Sequence, residues 1–252
     1  MTQLDTASLP KPVIEHQKFD VVRRNLTVRR VQELAPNMLR ITLGGEELAG
    51  FNSPSSDDHI KLFIPVPGGE PAARDYTPRH FDSSALELSI DFALHGSGAA
   101  TTWARQAKPG DAIQIAGPRG SKVIKAPDAW WLLIGDESAL PATGRRLEEM
   151  AAGTRVITVA AVRGPEEELH FETKANLTPV WIHRPMADAA DPTPFLKAVA
   201  GLELPAGPGF VWIGAEGEVA RALREYFINE RGISTDWIKA ASYWSKNGEN
   251  KK

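Results

Sequence analysis

The segment Arg74-Asp75-Tyr76-Thr77-Pro78-Arg79 gathers the side chains best suited to holding a ligand. Read as an extended strand, it puts Arg74 and Tyr76 on one face and Asp75 and Thr77 on the other. Arg74 can make charge-assisted bonds to a pyrophosphate. The Tyr76 ring can stack on a planar ring system, and the Thr77 hydroxyl can hydrogen-bond a ring nitrogen. Strand twist and side-chain length let all three reach one elongated ligand. The same six residues read equally well as an edge strand whose charges face solvent.

A second candidate follows directly. Leu88 to His95 reads as a strand that runs into Gly96-Ser97-Gly98-Ala99-Ala100-Thr101-Thr102, a glycine-rich turn opening a helix. Small residues let backbone N–H groups approach a phosphate, and a helix N-terminus favours an anion. Thr101 and Thr102 add hydroxyls, and His95 can meet phosphate or ribose. A strand-to-helix turn capped by threonine would show the same pattern. Further along, the apolar run Trp130 to Gly135 leads into Asp136-Glu137-Ser138-Ala139-Leu140-Pro141-Ala142, at the carboxyl end of a strand, where dinucleotides bind open sheets. Gly214-Ala215-Glu216-Gly217 is a second loop of that kind, and neither is a G-x-G-x-x-G fingerprint. Arg145, Arg146 and Arg163 are candidate partners for an adenosine 2′-phosphate. Read without a ligand, all of these are solvated charges and an ordinary helix start.

The remaining residue types narrow the chemistry. The chain has no cysteine, which removes thiolate nucleophiles, disulfides and cysteine-held metal clusters, so redox work would need a bound cofactor. Its six histidines show no metal-type spacing, so no metal site is expected. A formal charge of −3 gives no support to a nucleic-acid or membrane-surface partner. The N-terminal stretch lacks the basic start and apolar run of a secretory signal, and nothing approaches a membrane span, so a cytoplasmic protein is expected.

The elements that must carry these residues change character along the chain. Residues 1–19 read as a loose arm. From 20 to 126, alternating runs such as Asn25 to Val31, Met38 to Leu43, His59 to Ile64 and Leu86 to Phe92 are punctuated by glycine and proline. That spacing predicts a small antiparallel β-barrel. From 127 to 252, strand-like runs at Val156 to Val162, Pro179 to His183, Phe210 to Gly214 and Trp237 to Ala241 alternate with helical patterns. That alternation predicts an α/β domain with a mostly parallel sheet.

Taken in order, DDHIKLF, RDYTPR, IDFALHG…TTWA, AGPRGS, GDESALPA and the terminal ASYW resemble the siderophore-interacting proteins, ferric-siderophore reductases among the ferredoxin-reductase-like flavoproteins. The resemblance runs from about Asn25 to Trp244. It implies an N-terminal FAD-binding barrel followed by a nicotinamide-nucleotide domain. It also implies reduction of Fe(III) to Fe(II) in a siderophore or other ferric chelate, with NADPH or NADH as donor. Flavin roles fall to Arg74, Tyr76 and Thr77, with Thr77 facing N5, and pyrophosphate contacts to Gly98, Ala100 and Thr101. Asp91 and His95 take the family's acidic and histidine positions ahead of that turn. Asp136, Glu137, Ser138, Glu216 and Trp244 are implied on the nucleotide side. An anionic iron complex wants basic neighbours, for which Lys61, Arg119 and Lys246 are the candidates. The family's terminal aromatic motif is usually followed by arginine and glycine. Here Ser245-Lys246-Asn247-Gly248 stands instead, which raises the question whether Lys246 replaces that arginine. The short tail resembles members that prefer NADPH. Two other readings share the flavin motifs: a general reductase serving ferredoxin, and a flavin-loaded protein that binds iron complexes without turnover.

Overall fold

A computed structural model describes residues 11–246. By contacts, the described chain divides into two compact units. One comprises Ile14–Val123 with Pro141–Arg146, and the other comprises the remainder. The change of unit at Val123 falls just ahead of the boundary read at 126/127.

The first unit is a curled antiparallel sheet with strand order β5-β4-β8-β2-β3-β7-β6. Its strands are β2 (Arg23–Ala35), β3 (Met38–Gly44), β4 (Ile60–Ile64), β5 (Ala72–Tyr76), β6 (His80–Asp82), β7 (Glu87–Ala93) and β8 (Ala112–Ala116). Alternation makes one face apolar: Ile60, Leu62 and Ile64 of β4 and Leu88, Ile90 and Phe92 of β7 are buried in one cluster. Helix α1 (Ala99–Gln106) packs against β4, β5 and β7.

Residues 13–18, expected within a loose arm, instead form β1 (Val13–Lys18), which pairs with β9 (Gly120–Lys125). Close approach explains the pairing, since a side chain at Gly120 would run into the Gln17 carbonyl. The rest of that arm, residues 1–10, lies outside the described residues.

The second unit is an all-parallel sheet with order β12-β11-β10-β13-β14. It comprises β10 (Trp130–Gly135), β11 (Arg155–Val162), β12 (Asn176–His183), β13 (Gly209–Glu216) and β14 (Ile238–Trp244). Helices α3 (Thr193–Ala200) and α4 (Gly217–Asn229) flank β13 in sequence, and α2 (Leu140–Glu149) follows β10, with its residues 141–146 counted in the first unit. All six residues of β10 are buried, as its unbroken apolar run requires of a central strand. Strand order reverses at β10, so the loops after β10 and β13 open at the topological switch point, the ligand position of open α/β sheets.

Candidate functional site

In the barrel unit, β5 carries the Arg74–Tyr76 segment antiparallel to β4, with Tyr76 opposite Ile60, Asp75 opposite Lys61 and Arg74 opposite Leu62. The Tyr76 ring lies 4.4 Å from that of Phe92, which lies 5.6 Å from Trp103. One aromatic row thus ties β5 to β7 and α1. Burial pushes the Tyr76 hydroxyl above its ordinary range, so it stays protonated. Thr77 follows at the end of the strand, 8% exposed, and its hydroxyl has no hydrogen-bond partner among the described residues. The residue is mostly buried while its unpaired hydroxyl keeps some open surface, which leaves that hydroxyl available to a ligand atom. Arg74 is exposed, and its guanidinium donates to the Ala73 carbonyl.

The turn before α1 is built by Thr101. Its Oγ1 donates to the His95 carbonyl at 3.0 Å and accepts from the His95 N–H at 3.2 Å. This closes residues 95–101 into a loop with Gly96 at φ 55° and leaves the first N–H groups of α1 without intrahelical partners. A Cβ at Gly96 or Gly98 would meet nothing within 4 Å, so this side of the turn is open. His95 is exposed, and Ala100 is half-buried. Asp91 lies deeper. Arg40 binds its carboxylate bidentately at 2.6 and 2.8 Å, and Arg79 adds a contact at 3.5 Å. Sequence reasoning missed Arg40 and Arg79. The available signal was register: Arg40 faces Asp91 across β3 and β7, and a buried carboxylate needs a partner.

Arg145 and Arg146, considered above for a 2′-phosphate, are engaged otherwise within the same unit. Arg145 donates to Ser53 Oγ and the Pro78 carbonyl, each at 2.9 Å, and Arg146 lies 3.6 Å from Asp57.

At the switch point, Asp136 is 1% exposed and draws several candidates together. Its Oδ1 accepts from the Ser138 N–H and hydroxyl, and its Oδ2 from the Glu216 N–H and Trp244 Nε1, both at 2.9 Å. Glu216 caps α4 through the Glu218 and Val219 N–H groups, and its other oxygen accepts from the Lys246 N–H. Lys246 Nζ donates to the Ala187 carbonyl. Asp136, Ser138, Glu216, Trp244 and Lys246 thus form one polar cluster. A Cβ on Gly135 would sit 2.6 Å from Ala139 Cβ and 2.7 Å from the Gly214 carbonyl, so glycine is what lets β10 approach both β13 and the residue capping α2 there. Glu137 turns away to pair with buried Arg184 at 2.9 and 3.2 Å. Burial pushes the Glu137 carboxyl up, and Arg184 offsets part of that. Arg184 was not foreseen, because nothing local couples it to a residue 47 positions earlier.

Of the three candidate cations, Lys61 and Arg119 lie in the barrel unit. Lys61 is opposite Ala116 in the β4–β8 ladder, three residues before exposed Arg119, and its Nζ pairs with Asp75 at 2.7 Å. Lys246 belongs to the other unit.

A curled antiparallel half-barrel, in one chain with a parallel sheet whose polar loops meet at its switch point, is the fold of the ferredoxin-reductase-like proteins. Residues 27–73 and 67–122 match the siderophore-interacting FAD-binding domain, and residues 128–247 match the siderophore-interacting protein family. The chain belongs to the siderophore-interacting protein family. It is 36% identical to the NADPH-dependent ferric-chelate reductase of Escherichia coli over 95% of this chain and 98% of the relative. It is 31% identical to the ferric vibriobactin reductase ViuB of Vibrio cholerae over 91% and 92%. A siderophore utilization protein from T. fusca superposes with a TM-score of 0.86 at 31% identity, covering 96% of this chain and 99% of that one.

Proposed function

We propose that this protein is an FAD-dependent ferric-chelate reductase that draws electrons from NADPH, reduces siderophore-bound Fe(III) to Fe(II), and works in the cytoplasm. The observation that carries the reading is Thr77, a mostly buried residue whose hydroxyl has no hydrogen-bond partner among the described residues and keeps some open surface, in sequence next to Tyr76 and in the same unit as the open α1 turn. Those features suit a ring system joined to a pyrophosphate, which is the shape of FAD. The family match and the name of the Escherichia coli relative, an NADPH-dependent ferric-chelate reductase, point the same way.

When bound, FAD supplies conversion between two-electron hydride chemistry and one-electron delivery to iron. The chain's residues hold and orient. Tyr76 would offer its ring face to the flavin, Thr77 would hydrogen-bond the ring edge, and Arg74 would reach the pyrophosphate. The N–H groups from Gly98 to Thr101, with Ala100 leaving room and His95 alongside, receive the phosphates. Asp91 contributes through Arg40 and Arg79, which it holds in place. On the nucleotide side, Asp136, Ser138, Glu216 and Trp244 shape the receiving loop, with Glu137 and Arg184 bracing it. Lys61 and Arg119 of the barrel unit attract the anionic chelate. Ferrous iron is bound more weakly than ferric iron by hard oxygen donors, so reduction releases the metal without protein ligands. Among the described residues no cluster of His, Asp or Glu could hold a metal, and no helix is long and apolar enough to cross a membrane.

Anaerobic mixing with NADPH should bleach the flavin's visible absorbance. A ferric chelate added next should restore it while a ferrous trap develops colour. Reoxidation by ferredoxin alone, with ferric chelates inert, would assign the protein to a ferredoxin-linked reductase instead.

A further inference from the structure

Asp75 has no part in the flavin reading, yet it stands between two residues that do. The pairing of β5 with β4 sets it directly opposite Lys61. Its Oδ1 lies 2.7 Å from Lys61 Nζ, with the two side chains 43% and 35% exposed. Lys61 in turn faces Ala116, at the start of the loop that carries Arg119. Arg119 is exposed and has no side-chain partner among the described residues. Of the two barrel cations offered to an anionic chelate, one therefore comes with its own counter-ion.

We propose that Asp75 is a specificity-determining residue of the ferric-chelate site. By pairing with Lys61 it weakens the enzyme's preference for strongly anionic complexes relative to complexes of little net charge. This rests on the placement of the chelate at Lys61. A tris-catecholate complex of Fe(III) carries three negative charges. A tris-hydroxamate complex has a core in which three monoanionic groups cancel the iron charge. Electrostatic interaction with a fixed carboxylate scales with ligand charge, so Asp75 penalises the first and is nearly invisible to the second. It also holds Nζ away from the incoming anion, which must compete for it. The pair is half-exposed, so solvent and salt temper the effect without erasing it at low ionic strength.

The test compares flavin-loaded wild type, Asp75→Asn, Asp75→Glu, Lys61→Ala and the double variant Lys61→Ala/Asp75→Asn. Reoxidation of NADPH-reduced enzyme is followed with a ferric tris-catecholate and a ferric tris-hydroxamate, per bound flavin. In Asp75→Asn the catecholate-to-hydroxamate ratio of kcat/KM should rise by about three- to tenfold at low salt and fall back as salt is added. Asp75→Glu, which keeps the charge, should retain the wild-type ratio. The gain should shrink when Lys61 is already removed. An unchanged ratio in Asp75→Asn overturns the proposal, and a gain of equal size in the Lys61→Ala background refutes the pairing as its cause. If Lys61→Ala leaves catecholate reduction at the wild-type rate, the placement of the chelate itself is wrong, a result distinct from either.

Discussion

Thr77 is the residue on which the flavin reading turns, because it is mostly buried and its hydroxyl has no hydrogen-bond partner among the described residues. Thr77→Ala should weaken FAD binding by on the order of 1 kcal/mol, the usual worth of one hydrogen bond, while slowing single-turnover reduction by NADPH more than that loss implies. Titration with FAD and anaerobic stopped-flow separate the two effects, and unchanged reduction would deny Thr77 a role at N5. The basic residues act on a different step. Lys61→Ala and Arg119→Ala should each raise the apparent KM for an anionic ferric chelate and leave flavin reduction by NADPH nearly intact. Exposed contacts of this kind are worth roughly 0.2–1 kcal/mol, so the effect should fade with salt. Steady-state assays at two ionic strengths check it. Residue types alone left Arg74, Tyr76 and Thr77 balanced between a ligand site and a solvated edge strand, and their flavin roles came from the order of the motifs. The pairings were not legible. Asp136 finds Trp244 across 108 positions and Asp91 finds Arg40 across 51, distances over which sequence carries no contact signal.

The elements that hold these residues follow simple periodicities where one face is buried. The β4 and β7 segments alternate and β10 is apolar throughout, and each forms the strand its pattern requires. The β1 strand escaped notice because none of its residues is buried, so it has no apolar rhythm to read. Its sign was instead a glycine far along the chain, Gly120, which makes room for it. Two substitutions test the elements. Gly135→Ala places a methyl against Ala139 and the Gly214 carbonyl, and backbone cannot yield as a side-chain end can. It should cost about 1–3 kcal/mol, read as a lower urea midpoint. Thr101→Val removes both bonds to the His95 main chain and should loosen the turn. The expected result is a several-fold weaker FAD affinity, measured by fluorescence titration, with the Thr77-dependent reduction rate of loaded enzyme largely kept. Unaltered affinity would show that the turn does not depend on Thr101.

At the scale of the whole molecule, the order of motifs identified the family, and the matches across residues 27–122 and 128–247 establish it. The composition shift read near residue 126 could not show that residues 141–146 cluster with the first unit, because such a signal reports only on chain neighbours. Chain-wide charge was equally blunt: a net −3 hides the local basic residues on which a ferric chelate would depend. The central claim is a relay from NADPH through FAD to chelated iron, and sequential-mixing stopped-flow tests it most directly. Enzyme reduced anaerobically with one equivalent of NADPH is mixed with a ferric siderophore and a ferrous trap. Flavin reoxidation and trapped Fe(II) should appear together, with two Fe(II) formed for each flavin reoxidised, as two-electron and one-electron partners require. Flavin that stays reduced while the ferric complex persists would contradict the claim.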